Sequence, residues 1–201
     1  MPAPVMPGDE FVDPRGLAAR FIRTTAATSP EAMEIEWEVP PGRRLAAVPH
    51  KHPDGPEDWR VVSGTARHRL GLRSFVARAG ESWSVPGGTV HVHPANAGDE
   101  PLVVRQIIAP DPPMPQLTAG VERYFETVFA LAQQGMVDRY GRIKDPLQDL
   151  LAIWENLVPG SYFAWIPIPA QRALLGTAAG IARRRGREPW IEAERRAAAV
   201  R

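Results

Sequence analysis

Two short windows hold the residues whose types and spacing can do chemistry. Residues 50–64 read His-Lys-His-Pro-Asp-Gly-Pro-Glu-Asp-Trp-Arg-Val-Val-Ser-Gly, and residues 80–96 read Gly-Glu-Ser-Trp-Ser-Val-Pro-Gly-Gly-Thr-Val-His-Val-His-Pro-Ala-Asn. On a strand, His50 and His52 point to one face with Cα atoms about 6.5–7 Å apart, so two imidazoles can converge on one ion while Lys51 faces away. Glu57 follows a turn containing Pro and Gly and leads into an apolar run, Trp59–Val62, which can bring a carboxylate beside the pair. His91 arrives on a later strand. Three neutral imidazoles and one carboxylate suit a divalent first-row metal, and in an octahedral field they leave two positions for water, substrate or dioxygen. The chain has no cysteine, so disulfides, thiolate metal sites, iron–sulfur clusters and thiol nucleophiles are excluded, and any metal must use His, Asp or Glu.

His93 lies two positions from His91 and should face the same interior. As an imidazole beside a metal but outside its ligand set, it can act as a general acid or base or donate a hydrogen bond to substrate. The competing assignment is a solvated histidine, or one bonded to a carbonyl, at the mouth of the fold. Trp37, Trp59 and Trp83 have two assignments as well, the lining of a pocket for a planar ligand or plain core. On the last strand either Arg105 or Gln106 must face inward, and alternation without a register does not say which.

These residues need strands to carry them. Met33-Glu-Ile-Glu-Trp-Glu-Val39 alternates apolar and acidic residues without a slip, the pattern of a half-buried strand. Further short runs, Arg20–Thr24, Leu45–His52, Trp59–Val62, Ala66–Leu72, Ser74–Ala79, Ser82–Val85, Val90–His93 and Leu102–Ala109, are separated by Gly- and Pro-containing turns. Many short strands at close spacing suggest an antiparallel sandwich or barrel. The cluster Pro110-Asp-Pro-Pro-Met-Pro115 ends that regime, and beyond it the apolar period becomes helical. Helices are expected from about Gly120 to Gln134, from Pro146 with Asp145 as N-cap, and from about Pro169 to Arg185 before Gly186. The expected division is a barrel over 17–110, a Pro-rich linker over 111–118, a helical extension over 119–190, and flexible tails at 1–16 and 191–201.

The arrangement His50-x-His52-(x)4-Glu57-(x)6-Gly64, followed by Gly80-(x)5-Pro86-x-Gly88-(x)2-His91, resembles the two motifs of the cupin superfamily. Fifteen residues, Thr65 to Ala79, separate the two, which is similar to compact bacterial single-domain cupins. Gly42 stands eight positions before His50 rather than six, and Asn96 is one residue later than the pattern; neither departure touches a ligand position. The resemblance implies a mainly β fold, a double-stranded β-helix (jelly-roll barrel), here followed by about three helices. It implies a single divalent transition metal held by His50, His52, Glu57 and His91, with iron the first choice and manganese, nickel or zinc as alternatives. It further implies an enzyme acting on a small-molecule substrate. A dioxygenase comes first, with Glu57 able to shuttle a proton. A non-redox isomerase, decarboxylase or polyketide cyclase using His93 is second, and a non-catalytic binding cupin third. Homodimers are common among cupins, and pairing of edge strands across a two-fold axis would explain them.

Composition narrows the partners. With 24 Lys+Arg against 23 Asp+Glu, the net charge of +1 offers no field for nucleic acid or a membrane surface. Residues 171–201 hold eight arginines and three glutamates, best explained as helix-capping charge and a solvated tail. The beginning of the sequence has no basic segment followed by an apolar one, and no uninterrupted apolar stretch is long enough to span a bilayer, so a cytoplasmic protein is expected.

Overall fold

The computed structural model describes residues 3–28, 32–45, 48–52, 55–138, 141–158 and 160–196. Eleven strands and three helices run in the order β1 (Glu10–Val12), β2 (Ala18–Arg23), β3 (Met33–Val39), β4 (His50–Lys51), β5 (Glu57–Ser63), β6 (Thr65–Leu70), β7 (Arg73–Arg78), β8 (Ser82–Val85), β9 (His91–Asn96), β10 (Leu102–Ile108), α1 (Pro115–Gln133), α2 (Pro146–Asn156), β11 (Tyr162–Phe163) and α3 (Ile168–Arg184). They form two antiparallel sheets, ordered β1-β2-β3-β10-β5-β8 and β11-β4-β9-β6-β7, the layout of a jelly roll.

The alternation in β3 sets the inner face. Met33, Ile35, Trp37 and Val39 are buried, while Glu34, Glu36 and Glu38 turn outward. Cross-strand charges complete the outer face: Arg20 reaches Glu36 at 2.6 Å, and Arg105 on β10 reaches Glu36 at 3.0 Å. Pairing of β3 with β10 therefore sends Gln106, two residues beyond Val104, into the barrel. Gly64, between β5 and β6, has φ +81°, and a Cβ there would lie 2.8 Å from the Pro101 carbonyl oxygen, so the motif glycine is required on both counts.

Asp145 caps α2 by accepting from the backbone N–H groups of Leu147 and Gln148. Helix α1 begins at Pro115 rather than near Gly120, because a proline is compatible with the first helical turn; the expected linker is shorter as a result. Its Val121, Phe125 and Phe129 pack on the inner face of the six-stranded sheet, with the Phe125 ring 4.8 Å from Trp37 and Phe129 6.0 Å from Phe11. A Cβ at Gly120 would run into the carbonyl of Asn156, so this glycine permits the close approach of α1 and α2.

Parts of both segments expected as flexible tails, 1–16 and 191–201, make contacts with the fold. Phe11 in β1 is fully buried, and Arg196 donates its backbone N–H to the Glu10 carbonyl at 2.9 Å. Three-residue pairing and apolar burial hold what composition alone reads as unstructured. Residues 1–2 and 197–201 of the expected tails lie outside the described residues. The arginines of the C-terminal region meet carboxylates of the fold: Arg183 pairs with Glu155, Arg187 with Asp145, and Arg195 with Asp9 and Glu126. Among the described residues no helix is long and apolar enough to cross a membrane.

Candidate metal centre

Strand pairing brings the two windows together. β4 pairs with β9, with His50 opposite His91; Glu57 opens β5 on the facing sheet. One nitrogen from each of His50, His52 and His91 and a carboxylate oxygen of Glu57 all lie within 4.8 Å of one another. Glu57 and His91 are each only 1% exposed. Glu57 Oε2 lies 2.8 Å from His91 Nε2 and 3.9 Å from His52 Nε2.

The other face of each ring fixes its orientation. His50 Nδ1 lies 2.8 Å from the Val48 carbonyl, His91 Nδ1 3.0 Å from that of Thr89, and His52 Nδ1 3.1 Å from that of Gly160. A carbonyl accepts only, so each Nδ1 carries a proton and each Nε2 is aimed inward, the orientation that ligation requires. Glu57 is oriented in turn: Gln106 donates to Glu57 Oε1 and accepts from Trp37 Nε1–H at 2.9 Å.

Burial holds His50 well below the ordinary imidazole range, and His93, His52 and His91 push it the same way. Burial lowers His52 too, against the pull of Glu57. Burial resists ionisation of Glu57, yet the imidazoles of His93, His91 and His52 outweigh it and hold the carboxyl well below its usual value. For His91 the burial penalty is outweighed by its contact with Glu57, which raises it. His52 Nε2, Glu57 Oε2 and His91 Nε2 are buried without an aligned hydrogen-bond partner. Orphaned buried acceptors are costly, and a small divalent cation among them would satisfy all three at once. The donor set fits a first-row metal.

His93 stands beside this group, not in it. Its Nε2 lies 3.5 Å from Glu57 Oε1, and the ring lines a cavity of about 170 Å³ above the cluster. His50, His52 and Gln106 share that floor, and the helical extension forms the roof through residues such as Phe125 and Leu175. None of the three tryptophans lines this cavity. Trp37 is core beneath α1, and Trp59 stacks on Trp83 at 6.1 Å deeper in the barrel. The aromatic lining comes instead from Tyr124, Phe125, Tyr162 and Phe163.

Three participants carried no separable signal in the sequence. Gln106 was one of two parity choices. Gly160 reaches His52 from 108 positions away. His68 is buried between Trp83 and Phe75 with neither ring nitrogen hydrogen-bonded, and burial lowers it to about 3.

Residues 35–108 match the family model of the cupin domain, Cupin_2, and this segment lies in the jelly-roll barrel to which three C-terminal helices are joined. The match spans less than half of the sequence, and the helices lie outside it. Among solved structures, the chain is similar to an uncharacterized conserved protein with a double-stranded β-helix domain from Klebsiella pneumoniae (28% identity, TM-score 0.39, covering 47% of this chain and 80% of that one). It is also similar to Bacillus subtilis oxalate decarboxylase, a protein with Mn(II) centres (26% identity, TM-score 0.41, covering 49% of this chain and 27% of that one). No curated protein matches the chain.

Proposed function

We propose that this cupin is a mononuclear metal-dependent enzyme acting on a small organic molecule, and that its reaction is a dioxygenation. The observation that carries the proposal is the orientation of the ligand set: three Nε2 atoms, aimed by Nδ1–H donation to Val48, Gly160 and Thr89, face one buried carboxylate. When bound by His50, His52, Glu57 and His91, a divalent ion supplies a Lewis acid, and iron, manganese or nickel also supplies a redox centre for dioxygen. Gln106 holds Glu57 Oε1, so the carboxylate keeps one fixed oxygen toward the histidines. His93 can hold or move a proton at Nε2, next to Glu57 and facing the cavity. The mostly apolar roof limits water at the reacting end of a substrate.

The test is elemental analysis of the purified protein, followed by oxygen uptake of the iron-reconstituted form with a catechol and a β-diketone as enol-type probes. Near-stoichiometric metal that is lost in His50→Ala/His52→Ala, with probe-dependent oxygen consumption, is the expected result. Absence of metal after reconstitution with iron, manganese, nickel and zinc would refute the proposal.

A second function, non-redox enolate chemistry by an isomerase, decarboxylase or cyclase, is favoured by the place of His93 at the cavity floor. It predicts turnover without oxygen that His93→Gln abolishes while metal content is kept. Ligand affinity without product under either condition would assign a binding role. The proposal includes a homodimer: β7 and β8 end their sheets, and Val76 on β7 is 44% exposed. Light scattering decides it by mass.

A further inference from the structure

The cavity above the four donors has a composition that selects among small molecules. Its volume, about 170 Å³, is close to the roughly 150 Å³ of an engineered apolar cavity known to hold benzene, so a single ring or its equivalent fills it. Val121, Phe125, Ile153, Leu157, Phe163 and Leu175 give it an apolar wall. Among the described residues, Arg142 and Asp149 bring charged groups to the lining. The Arg142 guanidinium is engaged by Asp138 at 2.8 Å. Asp149, in the first turn of α2, has no ion-pair or hydrogen-bond partner for its carboxyl among the described residues, and burial alone raises it to about 6. Tyr124 of α1 also lines the cavity, close enough to Asp149 that, after burial, the carboxylate is what raises the phenol. The helix dipole accounts for an acid in a first turn, but not for one partly buried beside a phenol at the wall of an apolar cavity.

We propose that the cavity takes a neutral molecule the size of one ring, with oxygen donors at the end facing His50, His52, Glu57 and His91 and a hydroxyl group received by Asp149 and Tyr124. This rests on the metal-dependent function proposed above. A hydroxyl both donates and accepts; the carboxylate takes its proton and the phenol supplies one, so the two roof groups are matched to it. A carboxylate at that end would face the Asp149 charge, while the Arg142 guanidinium among the described lining residues is already engaged by Asp138, and a compact dianion would leave the apolar wall unfilled.

The test uses zinc-loaded full-length protein and calorimetric titration of three probes: 4-methylcatechol, 4-(hydroxymethyl)catechol and 3,4-dihydroxybenzoate. The hydroxymethyl probe should bind about tenfold more tightly than the methyl probe, and the carboxylate probe most weakly. Asp149→Asn should remove most of the hydroxymethyl advantage and strengthen the carboxylate probe, with zinc stoichiometry unchanged. Tyr124→Phe, which deletes one oxygen, should reduce the hydroxymethyl advantage and leave the methyl probe as it was. Zinc uptake with equal affinities for the methyl and hydroxymethyl probes, with a ratio untouched by both substitutions, or with no probe bound at all overturns this assignment alone. Failure to take up zinc overturns the metal-dependent function with it.

Discussion

Gln106 joins two buried groups, the Trp37 indole and the Glu57 carboxylate. Its amide oxygen accepts from Trp37 Nε1 and its amide nitrogen donates to Glu57 Oε1, so one neutral side chain ties the core to the carboxylate of the candidate metal centre. Gln106→Leu keeps similar volume and strands both partners. We expect a loss of about 1–3 kcal/mol in urea unfolding for the orphaned groups, and metal affinity weakened about 10–100-fold, read by zinc titration. Unchanged values on both would mean that Glu57 needs no support. At this scale the sequence was readable where a motif marks the residue, as for His50, His52, Glu57 and His91, and unreadable where only parity was available. Choosing Gln106 over Arg105 needs the pairing of Val104 with Trp37, a contact 67 positions apart.

Elements show the same division. The seven-residue alternation of β3 and the Asp145-Pro146 start of α2 are strong local patterns, and both stand where the sequence puts them. β1 and β11, with three and two residues, are too short to display a period and are defined only by their neighbours. Helix α1 was legible as an apolar stripe, but a stripe does not name what it covers. Its polar flank is informative: Glu122 accepts from Thr25 N at 2.6 Å and Thr25 Oγ1 at 3.0 Å, while burial raises its carboxyl to about 7 despite those bonds and Arg123. A carboxyl whose folded value exceeds its unfolded one, near 4.5, costs nothing at low pH; the penalty grows as pH climbs from there through about 7. Glu122→Gln retains an oxygen acceptor for Thr25 and removes the charge. The substitution should therefore raise Tm at pH 8 and leave it nearly unchanged at pH 4, as measured by thermal unfolding at the two values. A gain that is the same at both would rule out the ionisation as its source.

In the whole molecule, the barrel and the segment after α2 share the candidate metal centre. β11 pairs with β4, placing Phe163 opposite His50; Ala164 N–H donates to the Pro49 carbonyl at 2.9 Å; and the Gly160 carbonyl holds His52. These three links join the segment after α2 to residues 49–52, which include two of the four candidate ligands, His50 in β4 and His52 just beyond it. Zinc added to the metal-free protein should slow amide exchange in residues 160–175 as well as in β4 and β9, as followed by hydrogen–deuterium exchange mass spectrometry. Protection confined to β4 and β9 would mean that roof and floor move independently. If they are linked, thermodynamic reciprocity fixes the converse: whatever the occupant contributes to closing residues 160–175, closure returns in full to the affinity for the occupant. Substitutions that only tighten the seam between Gly160 and Ala164, touching no ligand, would then tighten binding, and affinity in the cavity becomes a property inherited from a turn outside the barrel.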